Sequence, residues 1–368
     1  MAATKHERIL LAVRRKLESG EFRPGQRMPT DLEFVKEFKA SRPTVAKALQ
    51  DLEREGLIDR RPGAGTFVRA RATKQRRFGL LIPGLGVTEI FSPICAAIAR
   101  AAASQGHSVV WGAEAGSPAG EPKDRPEDRG KLALELARRL ITDQVGGVFF
   151  APLELADDKD QVNAQIATLF RDAGVPVVLV DRDYTIYPER SEFDLVGVDN
   201  RRIGYMLARH MLDQGAEHPV FISRPNSAPT IEARFAGFCE ALVLAGQSVC
   251  QTLHQTWGGG NPEGLAAILK ASSADALVCG NDSTAAEVLH ALDSLGKACP
   301  EEMLVAGVDD VRFSRLFRVP LTTVRQPCAA IGQVALRLML DRIGDPELPV
   351  RDVLLLAELV PRASTNRR

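Results

Sequence analysis

Paired cysteines are missing from this chain. Its six cysteines, Cys95, Cys239, Cys250, Cys279, Cys299 and Cys328, never form a CxxC. Scattered this way they read as small buried hydrophobes, so neither a zinc site nor a disulfide framework is expected, and a reducing cytoplasm is the expected compartment. Long apolar runs are missing too: nothing approaches the roughly 20 residues of a membrane span. The opening MAATKHERILLAVRRKLESGEF is interrupted by charges every few residues and lacks the apolar stretch of a secretory signal. Catalytic signatures are equally scarce. There is no GxxxxGK[ST] loop, no GxSxG elbow and no HExxH, and the six histidines are dispersed. The lone GLG at 84–86 is too short to mark a dinucleotide site. No enzyme, cofactor or metal is therefore expected. What remains, 45% hydrophobic and 26% charged residues over 368 positions, suits a folded chain of two or three units.

The formal net charge of zero hides a polarity. Residues 1–77 hold 19 Lys and Arg against 10 Asp and Glu, leaving 28 against 37 for the rest. A basic head on an acidic body marks the head as the place to hold a polyanion, with a merely solvated basic face as the alternative.

Within the head, Ile9, Leu10, Val13 and Leu17 repeat at helical spacing. Thr30 and Glu33 form a capping-box pair before a short second helix carrying Leu32, Val35 and Phe38. Ser41 caps a third helix with Pro43 in its first turn and Gly56 at its end. LIDRRPGAGTFV then reads as a hairpin with a glycine-rich tip. This order describes a winged helix-turn-helix whose third helix enters the major groove. Arg42 offers a planar fork for guanine or phosphate, Thr44 a hydroxyl, and Lys47 a charge one turn beyond Thr44. Arg60 and Arg61 flank the wing turn. A helical protein-interaction module is the alternative.

RARATKQRR (69–77) has no apolar stripe and reads as a basic linker. From Phe78 onward, short apolar strands alternate with helical segments. The strands include GLLIPG, GGVFFAP, PVVLVD, LVGVD, PVFIS, SVCQTL, ALVCGND, LVAGVDD and LTTVRQ. That alternation gives parallel sheets covered on both faces, and about ten strands are more than one open sheet holds comfortably. Two Rossmann-like lobes follow, with ligands expected at the carboxyl ends of strands. Several strands end in polar residues: Asp181-Arg182-Asp183, Asp199-Asn200, Asn281-Asp282 and Asp309-Asp310. Such groups suit a hydroxyl-rich ligand. They also suit helix caps, the reading preferred for Asp199, Asp282 and Asp310. The polar stretch 113–130, rich in Pro and Gly, reads as an insertion.

Two resemblances run through these stretches. ESGEFRPGQRMPT (18–30), ASRPTVAKALQDLEREGLI (40–58) and RRPGAGTFV (60–68) resemble the DNA-binding domain of GntR-family regulators. The resemblance implies DNA contacts at Arg42 and Thr44 and a wing glycine at Gly63. The family commonly has an Arg where this chain has Leu32. VGVDNRRIGYMLARHMLDQG (196–215), EARFAGFCEAL (232–242), LVCGNDSTAAEVLHALDSLG (277–296), LVAGVDDVRFSRLFRVPLTTVRQP (304–327) and ELVPRAST (358–365) resemble the effector domain of the lactose/galactose-repressor family, itself related to periplasmic sugar-binding proteins. The combination resembles the arabinose-repressor subgroup of GntR regulators. By that resemblance, effector contacts fall on Asp181, Arg234, Asn281 and Asp309. A stacking aromatic falls on Trp257, for which a core role is the alternative.

The expectation is an α/β chain with a winged helix-turn-helix at 1–70, a basic linker at 71–77, and a two-lobed, periplasmic-binding-protein-type effector and dimerisation domain at 78–368. It should be a transcription regulator, expected to repress, that binds operator DNA through Arg42, Thr44, Lys47, Arg61 and Gly63. A sugar-like effector would control it, and it would act as a homodimer away from membranes. The helix AAIGQVALRLMLDRIG (329–344) is a candidate dimer contact. A transport-type sugar receptor would explain the body but not the basic head, and an α/β enzyme would need a signature the chain lacks.

Overall fold

The computed structural model describes residues 4–18, 21–22, 25–61, 64–68, 75–83, 89–111, 128–250 and 253–367. The chain divides into two compact units, Met1–Gln75 and Arg76–Arg368.

The first unit has three helices, α1 (Lys5–Glu18), α2 (Asp31–Phe38) and α3 (Arg42–Arg54), followed by an antiparallel hairpin of β1 (Ile58–Arg61) and β2 (Gly65–Val68). Local chemistry sets each boundary. Thr30 and Glu33 form the capping box at α2, and Ser41 accepts from the Thr44 N–H at 3.4 Å to start α3. Ile9, Val13, Phe34, Val45, Leu49, Leu52 and Ile58 share one core. The turn before α2 lies along the wing, its Met28 N–H donating to the Thr66 carbonyl at 2.8 Å. Gly65 is required there. It sits at φ +113°, and a Cβ would fall 2.8 Å from Arg27 Nε. The wing tip, Pro62 and Gly63, lies outside the described residues.

The second unit is the expected pair of lobes. The first lobe carries six parallel strands in the order β13-β7-β6-β5-β3-β4: β3 (Arg77–Leu81), β4 (Ser108–Trp111), β5 (Val148–Phe150), β6 (Val177–Val180), β7 (Asp194–Val198) and β13 (Asp352–Leu355). Helices α4 (Phe91–Ser104), α5 (Arg129–Thr142), α6 (Lys159–Asp172) and α11 (Cys328–Gly344) cover it. The second lobe carries four parallel strands in the order β11-β10-β8-β9: β8 (Pro219–Ser223), β9 (His254–Thr256), β10 (Ala276–Cys279) and β11 (Leu304–Ala306). Its helices are α7 (Asn200–Asp213), α8 (Pro229–Leu244), α9 (Pro262–Ser272) and α10 (Asp282–Ser294). A short antiparallel pair, β12 (Thr323–Arg325) and β14 (Glu358–Val360), lies where the chain passes between lobes. The chain makes that passage three times, after β7, after β12 and after β13.

Three expectations need correction. Arg77 already pairs with Ser108, so the expected linker ends earlier than residue 77; residues 71–74 lie outside the described residues. The strand expected in SVCQTL appears directly after it as His254–Thr256, where His254 packs against Phe221 and Phe235. The 113–130 stretch lies outside the described residues up to 127, and Arg129 already begins α5. The apolar face of α11, through Ile331, Ala335, Leu336 and Met339, is buried in its own lobe. A Cβ at Gly332 would sit 2.7 Å from the Ile94 carbonyl of α4, and the helix leaves Ala329, Gln333, Arg337, Asp341 and Gly344 exposed.

Candidate functional site

In the first unit, α3 presents one side outward. Val45, Ala48, Leu49 and Leu52 point into the core, leaving Arg42 and Lys47 exposed and Thr44 half-buried. The Thr44 hydroxyl shares a 2.7 Å hydrogen bond with Ser41. Among the described residues neither Arg42 nor Lys47 has an ion-pair partner, so both charges are available to a phosphate or a base edge. Arg61 is less free: its Nε donates to Asp59 at 2.9 Å and its guanidinium lies 5.0 Å from the Phe67 ring centroid. Arg60 is held by Asp31 at 3.0 Å. Leu32 stands 59% exposed at the start of α2. Gly63 lies outside the described residues.

In the second unit, the strand ends of both lobes converge on one buried polar cluster. The first lobe contributes Glu154 beyond β5, and Asp181 and Arg182 beyond β6. The second lobe contributes Asn200 and Arg234 from α7 and α8, Asn281 beyond β10 and Asp309 beyond β11. Gln326, just past β12, comes from the passage between lobes.

Backbone packing sets these positions. Asp181 turns out of β6 at φ +74°, its carbonyl 2.8 Å from where a Cβ on Gly197 would lie, so only glycine admits that turn. Helices α7 and α8 meet backbone to backbone. A Cβ on Gly204 would fall 1.7 Å from the Arg234 carbonyl, and one on Gly237 equally close to that of Arg201. That contact brings Arg234 over Asn200, to which its Nε donates at 2.8 Å, while its Nη1 donates to the Gly280 carbonyl at 2.5 Å.

Charge inside the cluster is only partly answered. Arg182 Nη1 meets Glu154 Oε1 at 2.6 Å, its Nε approaches Asp181 Oδ2 at 3.5 Å, and its guanidinium stacks 5.1 Å from the Phe91 ring centroid. Gln326 Nε2 donates to Asp309 Oδ1 at 2.8 Å. Burial raises the Asp181 carboxyl, against the opposing pull of Arg182 and Arg234. Burial also drives Asp309 up to about 7, although Arg234 and Gln326 pull it back; Asp181 and Glu154 push it further up. These mutual effects span the lobes, so the cluster acts as one site. Three of its buried atoms have no hydrogen-bond partner: Asp181 Oδ1, Arg182 Nε and Gln326 Oε1. A folded protein rarely leaves such atoms unanswered, and a ligand is one way to answer them. At the mouth, the Leu155 N–H donates to the Asn226 carbonyl at 2.8 Å and Asn226 Nδ2 to Asp157 at 2.6 Å, tying the lobes together.

Asp181, Arg234 and Asp309 therefore come together. Asn281 joins them as the cap of α10, its Oδ1 accepting from the Thr284 N–H and hydroxyl at 2.9 and 2.8 Å. Its amide N–H2 is the part left to face a ligand. Trp257 does not join. Its ring packs in the second-lobe core with Val220, Ile222 and Leu265, and its N–H donates to the Asn261 carbonyl at 3.1 Å, which is the core role and not the stacking one. The capping expectation holds for Asp199, which accepts from the Arg202 N–H. It fails for the other two carboxylates. Asp282 is fully buried and accepts from the Thr323 hydroxyl and the Val311 N–H. Asp310 gathers Arg315, Arg325 and Arg362; burial works against its charge, but these three guanidiniums hold its carboxyl down at about 2. Sequence reasoning missed Glu154 and Gln326 as members of the site, and named Asn200 only as a strand-end residue. Each lies within a few residues of a strand end, the signal that found the others.

The comparisons fall on either side of the boundary between the two units. Residues 5–68 match the model of bacterial regulatory proteins of the gntR family, and residues 208–365 match a periplasmic binding protein-like domain. The arabinose metabolism transcriptional repressor of Halalkalibacterium halodurans is 26% identical, the match covering 98% of this chain and 96% of that one. The transcription regulator CcpA of Lactococcus lactis superposes with a TM-score of 0.65 at 21% identity, covering 80% of this chain and all of that chain. A complex of the transcriptional regulator CelR with cellobiose gives 0.64 at 21% identity, covering 88% of this chain and 91% of that one. Among the described residues no helix is long and apolar enough to cross a membrane. The chain thus joins a gntR-type DNA-binding head to a periplasmic-binding-protein-like body, the build of a transcription regulator.

Proposed function

We propose that this regulator is a cytoplasmic, dimeric repressor whose hold on operator DNA is set by a sugar-like effector in the cleft of its body. Residues 1–70 form the DNA-reading head, the connection ends before Arg76, and 76–368 form the effector-binding and dimerising body. Arg42, Thr44, Lys47, Arg61 and Gly63 contact DNA, and Asp181, Arg234, Asn281 and Asp309 hold the effector, with Gln326 added to them.

The observation that carries this reading is the convergence of two carboxylates, an arginine and two amides from both lobes on one buried cluster with unanswered acceptors. Hydroxyl groups of a sugar donate to carboxylates and accept from guanidinium and amide N–H groups, so one polyol can answer both sets. Support comes also from a CelR neighbour of similar fold that was solved with cellobiose. Because the contacts come from both lobes, an occupied cleft favours one arrangement of the lobes over another, and the dimer conveys that preference to the heads.

The test is operator binding by fluorescence anisotropy, with and without candidate free sugars. A sugar that weakens operator binding by ten-fold or more, and loses its effect in Asp309→Ala, supports the proposal. Asp309→Ala that abolishes operator binding with effector affinity unchanged refutes the placement of the pocket.

A further inference from the structure

The proposed effector site leaves open what kind of polar molecule it accepts, and the charges of the cluster decide that. Glu154, Asp181 and Asp309 face Arg182 and Arg234, three carboxylates against two guanidiniums. All lie at the interlobe strand ends, and Asp181, Arg182, Arg234 and Asp309 are each less than 10% exposed.

Both guanidiniums are already engaged within the protein. Arg182 spends Nη1 on Glu154, and Arg234 spends Nε on Asn200 and Nη1 on the Gly280 carbonyl. The unanswered atoms point the other way. Asp181 Oδ1 and Gln326 Oε1, on residues 5% and 4% exposed, are both acceptors, and Arg182 Nε is the single orphaned donor among them. An incoming group must therefore bring protons more than it takes them.

We infer that the cleft selects an uncharged, hydroxyl-donating ligand and rejects its phosphorylated or carboxylated forms. This inference rests on the proposed effector site. A hydroxyl donates to Asp181 Oδ1 or Gln326 Oε1 while its own oxygen accepts from Arg182 Nε, so one alcohol group can satisfy two orphans. A phosphate at neutral pH carries close to two negative charges and offers acceptors only. It would meet Glu154, Asp181 and the ionised form of Asp309 as like charges in a dry site, and would compete with Glu154 for Arg182. A uronate carboxylate meets the same obstacle.

The experiment uses the full chain and matched probes. Ribose, arabinose, galactose, glucose and cellobiose are compared by thermal shift and calorimetry with ribose 5-phosphate, galactose 6-phosphate, glucose 6-phosphate and galacturonate. A free sugar should bind, with its anionic counterpart weaker by on the order of 100-fold. Asp181→Asn, which removes one charge without changing the shape, should narrow that gap. Binding of a phosphate as tight as, or tighter than, that of its free sugar overturns the inference and leaves the sugar-effector reading standing. No response to either class overturns the sugar-effector reading itself, and this inference with it.

Discussion

Asp309 is the residue at which stability and ligand binding pull against each other, and Asp309→Asn separates them. In the folded body its carboxyl is pushed up to about 7, from 3.8. Folded protein thus keeps a proton on Asp309 over a range where the unfolded chain has lost it. Stability from this group is fully present below about pH 4 and is lost as the pH rises through 7. At 1.36 kcal/mol per pH unit, the gap corresponds to roughly 4 kcal/mol of destabilisation once the group is ionised. The amide introduced by Asp309→Asn would keep an oxygen for Gln326 Nε2 and carry no charge. The variant should therefore be more stable than wild type by up to roughly 4 kcal/mol at pH 8, with the difference vanishing near pH 4. Asp181 and Asp282 are also raised by burial and add their own slope, which the comparison at each pH removes. Urea unfolding from pH 4 to 8 measures this. The two tryptophans, Trp111 and Trp257, both lie in the second unit, so their fluorescence follows that unit alone. At pH 8, where Asp309 is ionised, the same substitution should weaken the effector by on the order of 10–150-fold, because a neutral amide replaces a charged acceptor. A wild-type-to-variant difference that is the same at pH 5 and pH 8 would refute the account of Asp309.

Three further outcomes are expected. Arg42→Ala should cost about 1–3 kcal/mol of operator affinity and relax preference at one base position, while Lys47→Ala weakens all sequences evenly and lowers the salt slope by about one; anisotropy titrations over a salt series distinguish them. Gly204→Ala places a methyl 1.7 Å from the Arg234 carbonyl, so α7 and α8 must part; a loss of about 1–3 kcal/mol or more in melts, with weakened effector binding, is the expected pair of effects. Asn226→Gly keeps a backbone suited to φ +55° but deletes the bond to Asp157, and stopped-flow should show effector leaving a few-fold faster, about 0.5–1 kcal/mol.

The head was nearly complete in the sequence because its boundaries are local: a capping box at Thr30 and Glu33, a Ser41 cap and a glycine-bearing wing are each written in a few adjacent residues. The body's alternation of strands and helices was equally legible, and the strand-end rule found Asp181, Asn281 and Asp309. What failed was anything decided by contacts distant in sequence. Trp257 is a stacking candidate by type, yet the approach of Leu265 and Val220 makes it core. Asp310 looks like a helix cap until Arg325 and Arg362 arrive from elsewhere in the chain. Gln326 closes the LTTVRQ strand, but an uncharged amide there does not stand out among the carboxylate-bearing strand ends. It matters because the passage after β12 sets it beside Asp309.

The triple passage between lobes bears on how this gene product tolerates damage. Residues 352–365 supply β13 to the first sheet, β14 to the pair between lobes, and Ser364 and Thr365 to the buried interior of the second lobe, where Ser364 Oγ donates to the Val305 carbonyl at 2.6 Å. A stop codon that removes this short tail strips both lobes at once and exposes unpaired edges on β7 and β12. Late nonsense lesions should therefore behave as complete losses of regulation and not as mild ones. By the same reasoning, neither lobe can be expressed as a simple contiguous fragment; an excised lobe has to be re-joined from separated stretches of the chain.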